Sequence, residues 1–161
     1  MKYLSNYNKY SEQRIIDDIL NTNEGIGDII SKIKEYGKKG LLTTAILLSL
    51  AGSANAANNR DEVIKVGLEN IDNKDKVEFY NAVIGLSTRY ESESMNKSDI
   101  DAAGAFKEIS IYYTNLRDNK PTEELSDPAK KYLQVIFNSI SKYDDSQRAE
   151  LIKYGASVKR I

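Results

Sequence analysis

The side chains able to do chemistry in this chain are carboxylates that recur as close pairs: Asp17 with Asp18, Glu91 with Glu93, Glu123 with Glu124, and Asp144 with Asp145. A glycosidase needs two such groups about 5 to 10 Å apart on either side of a sugar, one to donate a proton and one to attack or to activate water. Nearly every pair here falls at a helix start or in a loop, where hydration and the helix dipole already account for negative charge. The rest of the inventory is thin. With no cysteine and no histidine, thiolate nucleophiles, disulfides, zinc sites and imidazole-based catalysis are excluded together. Asp99, Asp101 and Gly104 superficially match a calcium loop started at Asp99. Its fifth position is Ala103, which has no side-chain oxygen, and its twelfth is Ser110, which has no bidentate carboxylate. No catalytic residue, metal or cofactor is therefore expected, and the protein reads as a non-enzyme. A hydrolase working through Glu91 and Glu93 is the most available catalytic alternative.

The elements that carry these residues are helical. Apolar residues recur at spacings of three and four, and no two-residue hairpin turn separates alternating strands, so the expected class is all-α with almost no strand. Beyond Asn59 the predicted starts are Asn59, Asp72 or Asn73, Ser98 as a cap, Asp127 as a cap with Pro128 opening the helix, and Asp144 or Asp145. Glu91 to Lys97 reads as a polar loop. Residues 59–161 are thus expected to form a small bundle of about five antiparallel helices. Lysine and arginine total 23 against 24 acidic residues, and no segment forms a basic stripe, so nucleic acid is not an expected partner.

Two further segments precede that bundle. Residues 1–40 read as an amphipathic arm, with Tyr3, Tyr7 and Tyr10 at spacings of four and three, a helix capped by Ser11, and Ile26, Ile29, Ile30 and Ile33 on one face of the next helix. Those seven residues are the candidate docking surface for a protein partner or for the chain's own core, since eleven tyrosines against three phenylalanines favour aromatics that tolerate water at an interface. Residues 41–58 form an uncharged segment that follows Lys38 and Lys39 and closes on Ala54 and Ala56. That order fits a secretory signal cleaved after Ala56, leaving a product that starts at Ala57. It fits equally a buried or interfacial helix making membrane contact through residues 41–51. A true span is too short, because about a dozen apolar residues at ~1.5 Å each give ~18 Å against ~30 Å of hydrocarbon.

The first twelve residues, Met1-Lys2-Tyr3-Leu4-Ser5-Asn6-Tyr7-Asn8-Lys9-Tyr10-Ser11-Glu12, resemble the amino-terminal targeting tags on internal head proteins of T-even-like tailed phages. Those tags also begin Met-Lys, space aromatic and aliphatic residues three or four apart, and finish with a glutamate. The resemblance implies packaging into, or assembly on, a virion. Tyr10 stands where leucine or isoleucine precedes the glutamate of the tags, so it is docking, not processing, that carries over. Two functions are therefore expected as alternatives. One is a non-enzymatic structural or interaction protein of a virion, docking through its arm onto a partner in an assembly; the other is a periplasmic or secreted helical binding domain.

Overall fold

A computed structural model describes residues 2–20, 25–53 and 59–160, with side-chain surroundings from residue 11 onward. Among the described residues there are eight helices and no strand, as an all-α chain requires. In chain order they are α1 (Lys2–Leu20), α2 (Ile26–Lys38), α3 (Thr44–Ala51), α4 (Arg60–Asn70), α5 (Asn73–Asn96), α6 (Ile100–Arg117), α7 (Asp127–Ser141) and α8 (Asp145–Ser157). The chain divides into two compact units, residues 1–76 and 77–161.

The first unit is closed by branched aliphatic side chains drawn from all four of its helices. Ile15, Ile16 and Ile19 of α1 meet Ile29 and Ile33 of α2, and Leu42, Ile46 and Leu50 join them. Val63 and Val66 of α4 complete the cluster. Helix α4 packs on α2 and α3, so the compact body does not begin at residue 59; the isoleucine face of α2 is covered by a helix that the sequence reading grouped with the later ones. Thr43 caps α3, its hydroxyl accepting from the Ile46 amide at 3.4 Å. Asp75, in the first turn of α5, fixes the same end: its carboxylate accepts from the Thr44 amide at 3.1 Å and from the Thr44 hydroxyl at 2.7 Å. A carboxylate at a helix amino terminus satisfies an orphan donor and complements the dipole at once. Helix α1 also runs straight through Ser11, which the sequence pattern had marked as a cap.

The second unit is built on rings. Phe79 and Phe137 stack at 5.9 Å, both fully buried, and Phe106 lies edge-on between Tyr90 at 5.3 Å and Tyr132 at 5.0 Å. Offset and edge-to-face arrangements of this kind add to the burial energy of the rings. Helices α5 and α8 approach closely because Gly155 meets the Asn81 backbone and Gly85 meets the Leu151 carbonyl; a Cβ on either glycine would overlap those atoms. Arg117 locks the crossing. Its guanidinium donates to Asn81 Oδ1 at 3.1 Å, to the Gly155 carbonyl at 3.0 Å and to the Val158 carbonyl at 3.1 Å, and its Nε donates to Asp118 at 2.9 Å.

Three boundaries differ from the sequence expectation. Glu91 to Asn96 is helix, not loop: Glu91, Glu93 and Met95 are good helix formers, and Arg160 pairs with Glu91 near its end. Asp99, not Ser98, caps α6, its carboxylate accepting from the Ala102 amide at 3.1 Å, while Ser98 takes a left-handed backbone with φ of 59°. Ser126, not Asp127, caps α7, which places Pro128 inside the first turn, where its missing N–H costs nothing. Asp144 caps α8 as a reciprocal box with Gln147.

Candidate functional site

Among the described residues, the amino-terminal arm is anchored through the second half of α1. Ile15, Ile16 and Ile19 tie the second half of α1 into the core of its unit, and a polar network ties its end to α2. Lys32 Nζ donates to Asp18 Oδ1 at 3.1 Å and to the Asp18 carbonyl oxygen at 2.8 Å, while the Tyr36 hydroxyl donates to Asp18 Oδ2. The Tyr36 hydrogen bond, ahead of Lys32, holds the Asp18 carboxyl below its ordinary range. The same bond, ahead of burial, pushes the Tyr36 phenol up to about 12.

Tyr36 keeps its proton longer in the folded state, so its contribution to stability is complete below pH 10 and is lost as pH rises toward 12. The Asp18 contribution has the opposite sense, present above the ordinary carboxylate range and lost on acidification through its lowered value. Tyr36→Phe is accordingly expected to melt below the native protein at neutral pH, with the gap closing between pH 10 and 12. Thermal melts across that window check it; a gap independent of pH would mean the phenol does not bond the carboxylate in solution.

Of the seven docking residues, the structure divides two sets. Ile29 and Ile33 are buried, and Ile26 and Ile30 pack half-buried against the same cluster. The isoleucine face thus serves the chain's own core. Tyr3, Tyr7 and Tyr10 lie within the helical backbone of α1, with side chains outside the described residues. At 100° per residue their positions fall about 200° around the helix from those of Ile15, Ile16 and Ile19. That stripe is on the side away from the anchor.

Within the uncharged segment, Thr44–Ala51 form α3, in which Thr44, Ile46, Leu47, Leu48, Leu50 and Ala51 are buried. Leu41, just ahead of it, is 44 % exposed. Among the described residues no helix is long and apolar enough to cross a membrane. Ala54, Ala56 and Ala57 lie outside the described residues. Each pair has a member with a partner: Asp18 bonds Lys32 and Tyr36, Glu91 pairs with Arg160, Glu124 with Lys130 at 2.6 Å, and Asp144 accepts from the amide of Gln147 at 2.8 Å.

One surface feature had no counterpart in the sequence reading. A groove of about 480 Å³ runs between α6 and the irregular segment 121–125. Half-buried Ile111, Tyr112 and Leu125 form its apolar walls, with Lys107 and Glu123 at the rim. Its loop wall is fixed at both ends. The Lys120 amide donates to the Asn115 carbonyl at 2.8 Å behind a left-handed Asn119 with φ of 55°, and Glu108 accepts from the Ser126 amide at 2.6 Å and hydroxyl at 2.7 Å. Volume and lining fall in the range of ordinary ligand clefts. Gly104, a glycine inside a helical pattern, is the one residue in the sequence that marks this surface.

Comparison with protein-family models, with curated proteins and with solved structures returned no match.

Proposed function

We propose that this is a non-enzymatic structural and interaction protein, a small helical bundle carried into a tailed-phage virion by its amino-terminal helix. The observation that carries the reading is the register of α1: residues 15, 16 and 19 are locked in the core while 3, 7 and 10 share the opposite side. Tyrosines in such a stripe bring large contact area at small entropic cost, and the tag-like sequence supplies the setting. The decisive experiment replaces Tyr3, Tyr7 and Tyr10 together by serine and counts copies in purified particles from the natural host. Incorporation should fall about ten-fold or more, since ~1.4 kcal/mol lost at the interface is enough for that, while the melting temperature is kept. Unchanged incorporation would refute docking through this helix.

The alternative, an exported helical binding domain released after Ala56, conflicts with packing. Removing residues 1–56 would strip α4 of α2 and α3 and lay Val63 and Val66 open to water. Peptides from residues 25–53 are expected in the native protein by mass spectrometry, whereas a product starting at Ala57 would favour export.

A further inference from the structure

Helix α8 is fastened to its unit by hydrogen bonds more than by apolar burial. Of its thirteen residues Leu151 and Gly155 are the buried ones, so Leu151, helped by half-buried Ile152, is its apolar anchor. Helix α7, by contrast, buries Ala129, Leu133, Ile136, Phe137 and Ile140. Polar groups do the rest. Arg117 donates to the Gly155 and Val158 carbonyls, Arg160 donates to Ser110 and pairs with Glu91, and the Arg89 guanidinium lies over the Tyr154 ring at 5.5 Å. At the other end Arg148 donates to the Ile140 carbonyl at 3.3 Å and to the Ser141 carbonyl at 3.2 Å, tying the start of α8 back to the end of α7.

The surface beneath this segment is polar as well. On α5 it runs from Asn81 through Gly85, which the α8 backbone overlies, to Thr88; on α6 it runs from Ser110 through Thr114 to Arg117. Both sets are spaced i, i+4, i+7 and so share one face of their helix. Thr88 and Ser110 lie 3.1 Å apart in a hydroxyl pair, and Arg160 reaches the same Ser110 at 3.2 Å. Lifting a helix from such a face uncovers little apolar surface beyond Leu151, and local opening is easiest where buried apolar contacts are fewest.

We propose that residues 145–160 are a latch. In the native protein they swing open as one piece about residues 142–144, releasing the bonds of Arg117 and Arg160 to this segment together, and uncover the small polar stripe of α5 and α6. Arg148 marks the pivot. This device is separate from the tyrosine positions of α1 and does not depend on docking there.

Native-state hydrogen exchange on the isotopically labelled full chain tests it. Amides of residues 149–157 are expected to exchange as one group, about a hundred-fold or more faster than buried amides of α5 to α7 such as those of Ile84 and Ile136. Their exchange should also depend less on denaturant, because less surface is exposed. Arg160→Gln should speed the α8 group about five-fold or more, through loss of a charge-assisted bond. Phe106→Leu, between Tyr90 and Tyr132, should speed the α5 to α7 amides and leave the α8 group unchanged, which a fold that opens only as a whole would not do. Because the chain has no cysteine, Ser110→Cys places a single thiol under the latch, and its labelling should follow the opening equilibrium of the α8 group. Any of five results overturns the proposal: α8 exchange at the rate of the core, fraying residue by residue from the carboxyl end in place of a common rate, no change in Arg160→Gln, equal acceleration of both groups in Phe106→Leu, or a Ser110→Cys thiol that reacts only as the core opens.

Discussion

Ile33→Ala is expected to destabilise the first unit by about 2 to 5 kcal/mol, the cost of a cavity left by a fully buried aliphatic side chain. The residue sits where α1, α2 and α4 meet, and rigid neighbours on three helices limit collapse into the hole. Chemical denaturation followed by circular dichroism reads the loss as a lowered midpoint. An isoleucine on a free docking face would behave otherwise, shifting stability by no more than about 0.5 kcal/mol. The measurement therefore separates a core helix from an interaction helix at a single position, and a negligible effect would return α2 to the list of docking elements.

The second large effect concerns the crossing of α5 and α8. Arg117→Met keeps much of the aliphatic stem but removes donors from Asn81 Oδ1 and from the carbonyls of Gly155 and Val158. The Gly155 carbonyl keeps the Val158 amide at 3.1 Å, so Asn81 Oδ1 and the Val158 carbonyl are the part-buried acceptors left without a donor, at about 1 to 3 kcal/mol each; with partial rehydration, a total loss of about 2 to 4 kcal/mol is expected. Gly155→Ala attacks the same contact by overlap with the Asn81 backbone, at about 1 to 3 kcal/mol for an overpacked site. The two changes share Asn81 and should not add, so the double variant ought to lose less than the sum of the singles. Strict additivity, or a change under about 0.5 kcal/mol in Arg117→Met, would show that the guanidinium does not hold this crossing.

Much of the architecture was legible because helix periodicity and capping act locally. The runs carrying Val63 to Leu68, Phe79 to Leu86, Ile109 to Leu116 and Leu133 to Ile140 all became helices, and the last helix starts where Asp144 or Asp145 was expected to open it. Caps at Asp99 and Ser126 were each displaced by one residue, since serine and aspartate are both good caps and the choice depends on turn geometry that types alone do not fix. Helix α5 ran on through Glu91 to Asn96 because Arg160, distant in sequence, pairs with Glu91. The affiliation of α4 was hidden for a related reason. An amphipathic helix advertises an apolar face without saying which neighbour will cover it, so Val63 and Val66 gave no sign that they would close over Ile29 and Ile33. The groove was invisible too, because it is a space between a helix and a loop, and only Gly104 marks it in the chain.

The last described residues are wired into much earlier ones: Arg160 pairs with Glu91 and donates to Ser110 at 3.2 Å, and Val158 accepts from Arg117. During synthesis those bonds have no partner until residues 158–160 leave the ribosome, by which time α5 and α6 have long emerged. A nascent chain paused before α8 must carry the glycine seam of α5 and the fork of Arg117 exposed. Completion of the carboxyl terminus is thus the step that closes this unit.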